Sequence, residues 1–242
     1  MSAVTTPDAI VYEDSDGEPM SDNTLQFRWI VTLQGGLDAL FRADPNVFVA
    51  GDLLWYPVEG RPDISVAPDA MVAFGRPKGY RGSYLQWREG GVSPQVVFEV
   101  LSPGNRAGEM ARKHAFYERH GVEEYYVYDP DRVTFLGYVR DAGGSLAPVA
   151  VPDGHVSPRL GVRFELAEQL VLHTPDGGRF HTYMEVFESN EAERGRADAQ
   201  SDRAEAERGR AEAERVRGDA LHHANEALRA KLRAAGIDPD AV

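Results

Sequence analysis

The eight residues Val96-Val97-Phe98-Glu99-Val100-Leu101-Ser102-Pro103 constrain this chain more than any other stretch. From Gln95 to Leu101 the run is apolar enough to read as a buried β-strand. One carboxylate, Glu99, stands inside it. An unpaired buried carboxylate is expensive, so the fold must either supply Glu99 with partners or bring it to the loop at the strand end as a cap.

Around that strand the pattern alternates between helix and strand. Leu25, Trp29, Ile30, Leu33, Leu37, Leu40 and Phe41 recur at helical spacing, with Ser21 or Asp22 as the N-cap and an end before Pro45. Val47 to Tyr56 is strand-like, and Ala70 to Phe74 is a second short apolar run behind the Pro62-Asp63 and Pro68-Asp69 pairs. Gly75 to Ser93 reads as a long loop in which Arg76, Lys78, Arg81 and Arg88 alternate with Tyr80, Tyr84 and Trp87. Such interleaving can follow a nucleic-acid backbone and stack on bases. A surface loop with packed aromatics is the reading favoured here, because Glu89 and several glycines dilute the pattern.

Beyond the buried strand, Asn105 can cap a helix from Arg106 to about His120, stopped by Gly121. Glu124 to Tyr128 is a further strand closed by Asp129-Pro130-Asp131. Val133 to Val139, Ala147 to Val151 and Val162 to Leu166 follow as short strands, and Leu170 to His173 with Arg179 to Thr182 suggests a hairpin. Helix, strands, helix, strands implies an α/β or α+β fold with a mixed sheet.

The ends differ from this core. Residues 1–20 are polar and rich in Asp, Glu, Ser and Pro, the composition of a disordered segment. From about Thr182 the chain is one charged helical pattern, with seven-residue units starting at Arg196, Arg203, Arg210 and Arg217. A period of seven suggests a coiled coil. Its seam is mostly alanine until Leu221, Leu228 and Leu232, so burial along it is small and a lone charged helix is the alternative. A homodimer or a helical protein partner is the expected use of such a tail.

Charge and composition narrow the function. Of 39 acidic and 26 basic residues, 12 and 10 lie after Glu188, which leaves −11 on residues 1–188. That sign opposes coating DNA by phosphate neutralisation, while a nuclease with a bound cation and a local basic patch stays compatible. Zero cysteines exclude disulfides, thiolate zinc sites and a cysteine nucleophile, so any metal must be held by oxygen or imidazole. The sequence has neither a run of eighteen apolar residues nor a signal-peptide pattern, which gives the expectation of a cytoplasmic protein without a membrane span. His222-His223 is the one histidine pair and lies in the charged tail. Neither a G-x-x-x-x-G-K loop nor a G-x-S-x-G elbow is present.

Phosphodiester hydrolysis needs a cation, carboxylates to hold it and a group that positions or deprotonates water. Asp69, Glu99 and Lys113 are of those types. Two carboxylates about 5 Å apart repel by about 3 kcal/mol at an effective dielectric near 20, so a pair on neighbouring strand ends favours a cation between them. Magnesium suits two carboxylates with water completing the octahedron. Lys113 shares a helical stripe with Met110 and Tyr117, which turns its ammonium toward the sheet; a surface pair with Glu109 is the alternative. On the carboxylate pair alone, Glu99→Gln should relieve repulsion and leave the metal-free protein as stable as before, or slightly more so.

The order of these motifs carries a resemblance. Ser65-Val66-Ala67-Pro68-Asp69, then Phe98-Glu99-Val100-Leu101-Ser102-Pro103, then Glu109-x-x-x-Lys113-x-x-x-Tyr117-x-x-x-Gly121-Val122-x-Glu124-Tyr125, then Asp129-Pro130, resembles the Uma-type family of restriction-endonuclease-like proteins, within the PD-(D/E)xK nuclease superfamily. It covers about residues 22–172. The resemblance implies a restriction-endonuclease-like core of a mixed sheet flanked by helices. It also implies Asp69 and Glu99 as ligands of Mg2+ or Mn2+, Lys113 orienting or activating the water, and DNA as substrate. The superfamily's lysine two positions after the glutamate is Leu101 here, and Lys113 looks like its migrated replacement. Asp63 is a rival for Asp69, which is preferred because the apolar run follows it directly. Gln26 on the first helix is a candidate accessory residue where relatives often carry glutamate.

The division expected is a disordered segment over 1–20, the nuclease-like domain over 21–181, a charged heptad helix over 182–235 and a tail over 236–242. A metal-dependent endonuclease is the expected function, and a catalytically silent nuclease-fold module acting through its helix is the alternative.

Overall fold

The computed structural model describes residues 10–15, 17, 21–104, 107–150, 154–236 and 238. In chain order these form α1 (Thr24–Leu40), β1 (Val47–Ala50), β2 (Trp55–Tyr56), β3 (Ala70–Phe74), β4 (Tyr84–Leu85), a short 3-10 turn at Gln86–Glu89, β5 (Val96–Val100) and α2 (Ala107–Arg119). They continue with β6 (Glu124–Asp129), β7 (Thr134–Arg140), β8 (Leu146–Val149), β9 (Arg163–Leu166), β10 (Leu170–His173) and α3 (Tyr183–Ala234). Two compact units divide between Met184 and Glu185.

The first unit is built on a six-stranded sheet in the order β1-β3-β5-β6-β7-β8. Only β5 and β6 pair in parallel within it, and the other four pairings are antiparallel, so the sheet is mixed as expected. A parallel pair needs a crossover, and α2 supplies it between β5 and β6. All five residues of β5 are buried, because helices cover both faces of the sheet there.

Alternation along β5 sorts the core into two layers. Val96, Phe98 and Val100 join Trp29, Ile30, Leu33 and Leu37 of α1, together with Phe164 and Leu172 of the β9–β10 hairpin. Val97 faces the other way, into a cluster with Tyr117 and Val122 from α2 and the segment after it, and with Trp55, Met71 and Tyr125. Glu99, two residues beyond Val97, shares that second face.

Several local expectations change. The cap of α1 is Asn23, neither Ser21 nor Asp22: its Oδ1 accepts from the N–H groups of Leu25 (3.0 Å) and Gln26 (2.9 Å), which only the residue directly ahead of the first turn can reach. The strand expected from Val47 to Tyr56 breaks at Asp52, whose φ of 48° is left-handed, so Trp55 and Tyr56 leave the main sheet. They pair in parallel with Tyr84 and Leu85, inside the stretch expected to be loop. Arg179–Thr182 makes a single bridge to His173 in place of a strand. Gly121 adopts φ 92° just after α2, a conformation that suits glycine and ends the helix as expected. Asn105, the expected cap of α2, lies outside the described residues.

The segment expected to be disordered also differs. Among residues 10–15, Tyr12 packs on Tyr56 and Trp87 with ring centroids 5.3 and 4.9 Å apart, and its hydroxyl accepts from the Gly60 N–H at 2.6 Å. Tyr56 donates to the Glu13 carbonyl at 3.1 Å. One aromatic in a polar stretch is enough to hold it when a ring pocket exists on the core.

α3, which starts two residues before the second unit and makes up most of it, runs for 52 residues without a buried one. Along it Arg215 pairs with Glu212, three residues earlier, at 2.8 Å. No helix among the described residues is long and apolar enough to cross a membrane.

Two outcomes follow from this packing. Burial first and a neighbouring carboxylate second, Glu89 for Tyr84 and Glu124 for Tyr126, raise both phenols above their ordinary value near 10.0. Folded protein therefore keeps protons that the unfolded chain releases, so stability should hold below pH 10 and fall as pH rises past it. Urea midpoints from about pH 8 to about pH 11 check this. Deletion after Ser189 should leave the first unit folded with unchanged cooperativity and alter only self-association, as read by circular dichroism melts and sedimentation.

Candidate active site

Strand register brings the two acids together. β3 and β5 pair with Ala70 opposite Phe98, Met71 opposite Val97 and Val72 opposite Val96. One rung further, Asp69 stands across from Glu99. Directly opposed residues in an antiparallel pair lie on the same face, where like charges repel. Both are buried, Asp69 at 8% and Glu99 at 3% exposure. The Val100 N–H, just past Glu99, donates to Asp69 Oδ2 at 2.6 Å and holds that carboxylate at the sheet end.

α2 supplies the donors. Lys113 and Tyr117 are one helical turn apart and therefore on one stripe. Lys113 Nζ lies 2.7 Å from Glu99 Oε2, and the Tyr117 hydroxyl donates to Glu99 Oε1. Each oxygen of the buried carboxylate thus has its own donor. Glu99 is no strand-end loop cap, and Lys113 pairs inward with it.

Burial first, and the Glu99 charge second, push the Asp69 carboxyl well above the ordinary carboxylate range, against the pull of the Val100 N–H and of Lys113. Burial alone would lower the Lys113 pKa, yet the charge and hydrogen bond of Glu99 outweigh it and hold the ammonium above its ordinary value. Asp52, in the break after β1, adds a further negative charge facing Asp69.

Gln26 joins the same strand end from the opposite layer. Its Nε2 donates to the Val100 carbonyl at 2.8 Å, and its Oε1 accepts from the Asp22 N–H at 2.8 Å. Ser102, in the loop after β5, donates to Asp22. Asp63 is elsewhere: it is exposed and pairs with Arg61 at 2.5 Å, so the rivalry between the two Pro-Asp pairs ends with Asp69 at the cluster. Of the basic loop, Arg81 pairs with Glu89 and Lys78 with Asp38; Tyr84 is packed as expected, whereas Tyr80 stands 95% exposed.

Residues 6–170 match the model of the Uma2 family, described as putative restriction endonuclease. The chain belongs to the Uma2 family. No curated protein matches it. Among solved structures it is similar to the crystal structure of a putative nuclease belonging to DUF820 from Anabaena variabilis, at 16% identity and a TM-score of 0.42, over 56% of this chain and 72% of that one.

A restriction-endonuclease-like member of the Uma2 family implies a divalent cation, and the donor set can be tested against it. No group of three histidine, cysteine or carboxylate side chains that could hold a metal exists among the described residues. Magnesium, however, is commonly held by one or two carboxylates with water and substrate phosphate completing its shell. Asp69 Oδ1 accepts no hydrogen bond among the described residues, and its residue stands opposite Glu99 on the same face of the sheet. The residues therefore fit magnesium or manganese, and they do not form a closed all-protein cage.

Two members of the cluster escaped the list of candidates. Tyr117 was visible as the residue four after Lys113, but its partner was not, since hydroxyl pairing depends on where α2 crosses the sheet. Tyr125 packs on Tyr117 with centroids 5.0 Å apart, and its buried hydroxyl has no hydrogen-bond partner among the described residues.

This geometry reverses the stability expected for Glu99→Gln. An amide can accept from Lys113 and donate to the Tyr117 hydroxyl oxygen, but the buried ammonium then loses its counter-charge and the phenol proton its acceptor. The substitution should lower stability by about 1–3 kcal/mol, measured by denaturant melts of the metal-free protein; equal melts would show that the two donors do not engage Glu99.

Proposed function

We propose that this Uma2-family protein is a magnesium- or manganese-dependent endonuclease that hydrolyses phosphodiester bonds in DNA. The observation that carries the reading is the cross-strand pair Asp69 and Glu99 with Lys113 held against Glu99 Oε2. A structural ion pair needs one acid; a second buried acid opposite it is a standing repulsion that a cation removes.

In this reading Asp69 and Glu99 hold the ion. When bound it supplies positive charge against the phosphate and makes the attacking water more acidic. Lys113, an ammonium paired to a carboxylate, has protons to donate and no lone pair to accept one, so its role is to orient the water and steady negative charge on phosphate oxygen. Water adds to phosphorus, the bond to the leaving oxygen breaks, and solvent takes the water's proton and returns one to the leaving group. Tyr117 fixes the second oxygen of Glu99, and Gln26 fixes the Val100 carbonyl beside it. Burial of Tyr117, Tyr125 and Met71 behind the pair keeps that side dry, which strengthens each charge interaction.

Plasmid and single-stranded DNA incubated with the full chain, with and without magnesium or manganese, test this. Cutting should require the ion and fall at least about a hundredfold in an Asp69→Asn, Glu99→Gln double variant. Wild-type protein that binds DNA or a protein partner but cuts nothing under any divalent ion would replace the reading with a catalytically silent module.

A further inference from the structure

α3 is helical over all 52 of its residues, and none of them is buried. Helices in proteins gain most of their stability by packing one face, so a helix of this length without such contacts lacks its usual support. Its sequence nevertheless keeps one face nearly free of charge. Every seventh residue from Ala192 to Ala234 is alanine. A second row, starting three residues on at Gly195 and ending at Ala230, completes the face, and its ionisable members are Asp202 and His223. Gly195 and Gly209 stand in this second row, and a Cβ on either would meet nothing within 4 Å. The single chain has no use for glycine there, and each glycine weakens the helix relative to alanine. A missing Cβ does let a second backbone come close.

Charged rows border that face. Every seventh residue from Glu191 to Glu226 is Asp or Glu, each four residues before a member of the second row and so beside it. On the other border, four residues after the alanines, every seventh residue from Arg196 to Arg217 is arginine, followed by Ala224 and Lys231. One border is acidic throughout and the other basic.

We propose that α3 pairs with α3 of a second copy of this chain, parallel and in register, through the face that carries Ala192 and Gly195. In such a pair each acid of one border meets the residue five places further along the basic border of the other helix. Glu191 then faces Arg196 of the second copy, Glu205 faces Arg210, Glu212 faces Arg217, Asp219 faces Ala224 and Glu226 faces Lys231, with no like pair among them. An antiparallel pair would set acid against acid and arginine against arginine, so charge selects the parallel arrangement. Arg215 holds Glu212 at 2.8 Å within one chain, but both side chains are more than half exposed, and such a pair yields readily to exchange. The face that carries Leu221, Leu228 and Leu232 is the competing seam. It includes Glu207 and Glu214 and is bordered on both sides by arginine-rich rows, so two copies meeting there would bury acids and oppose like charges. Alanine and glycine bury little apolar area, so the charged borders set the strength of the pair and salt weakens it.

The chain has no cysteine, so an introduced thiol reports pairing without background. In the full chain at low salt, Ala192→Cys and Ala227→Cys should each form a disulfide-linked dimer with itself on mild oxidation, and Ala204→Cys, on the far side of the helix, should not. Linkage of Ala192→Cys with Ala227→Cys only when the two variants are mixed would show antiparallel helices. Linkage through Ala204→Cys would place the seam on the leucine face. Either result overturns the proposal. Sedimentation equilibrium supplies the second arm. Wild type should dimerise, and Glu205→Arg with Glu212→Arg should weaken the dimer about tenfold or more, as should Arg210→Glu with Arg217→Glu. An equimolar mixture of those two double variants should regain wild-type affinity, because each border again meets its opposite. Wild type that stays monomeric at low salt, or a dimer indifferent to both charge reversals, would overturn the proposal. Every readout is taken without DNA or a divalent ion, so the outcome stands apart from the nuclease reading.

Discussion

The rest of this structure depends on how a carboxylate is given partners inside a buried strand. Glu99 is buried among valine, phenylalanine and tyrosine, and it is tolerated because Lys113 and Tyr117 each take one of its oxygens. Those donors come from adjacent turns of α2, which is also the crossover that makes β5 and β6 parallel. One helix thus closes the sheet's topology and satisfies its most expensive residue. Moving α2 by a turn would carry both donors away from Glu99.

The second acid is unresolved in that scheme. Asp69 has the Val100 N–H, and Lys113 helps it from a distance, but burial and Glu99 push it toward its neutral form. Stability alone would have no use for it opposite Glu99. A strained pair at the end of two central strands, with Gln26 fixing the adjacent carbonyl from the other layer, is the arrangement expected where function is bought with stability.

If the proposed substrate is a polyanion, its binding has to come from somewhere other than overall charge. The basic residues of the loop after β3 are largely spent locally, Arg81 on Glu89 and Lys78 on Asp38. In the proposed reading, a cation between Asp69 and Glu99 would supply the positive charge that this loop does not.

Periodicity carried much of the design. The apolar run of β5, the helical stripe of α1, the Lys113-x-x-x-Tyr117 spacing and the stop at Gly121 were legible because each is a repeat or a local backbone requirement within one element. What lies beside what was not. Pro62-Asp63 and Pro68-Asp69 look alike locally, and only the β3–β5 register sets Asp69 opposite Glu99 while Asp63 stays outside with Arg61. The parallel pairing of Trp55–Tyr56 with Tyr84–Leu85 and the seat of Tyr12 on Tyr56 and Trp87 are likewise products of juxtaposition. Sequence alone determined which faces are apolar and which residue types stand at the ends of strands, because side-chain period follows backbone geometry. Which of those ends meet was decided by the tertiary structure, because pairing between distant segments is chosen by the packing of the whole core and leaves no repeat in any one of them.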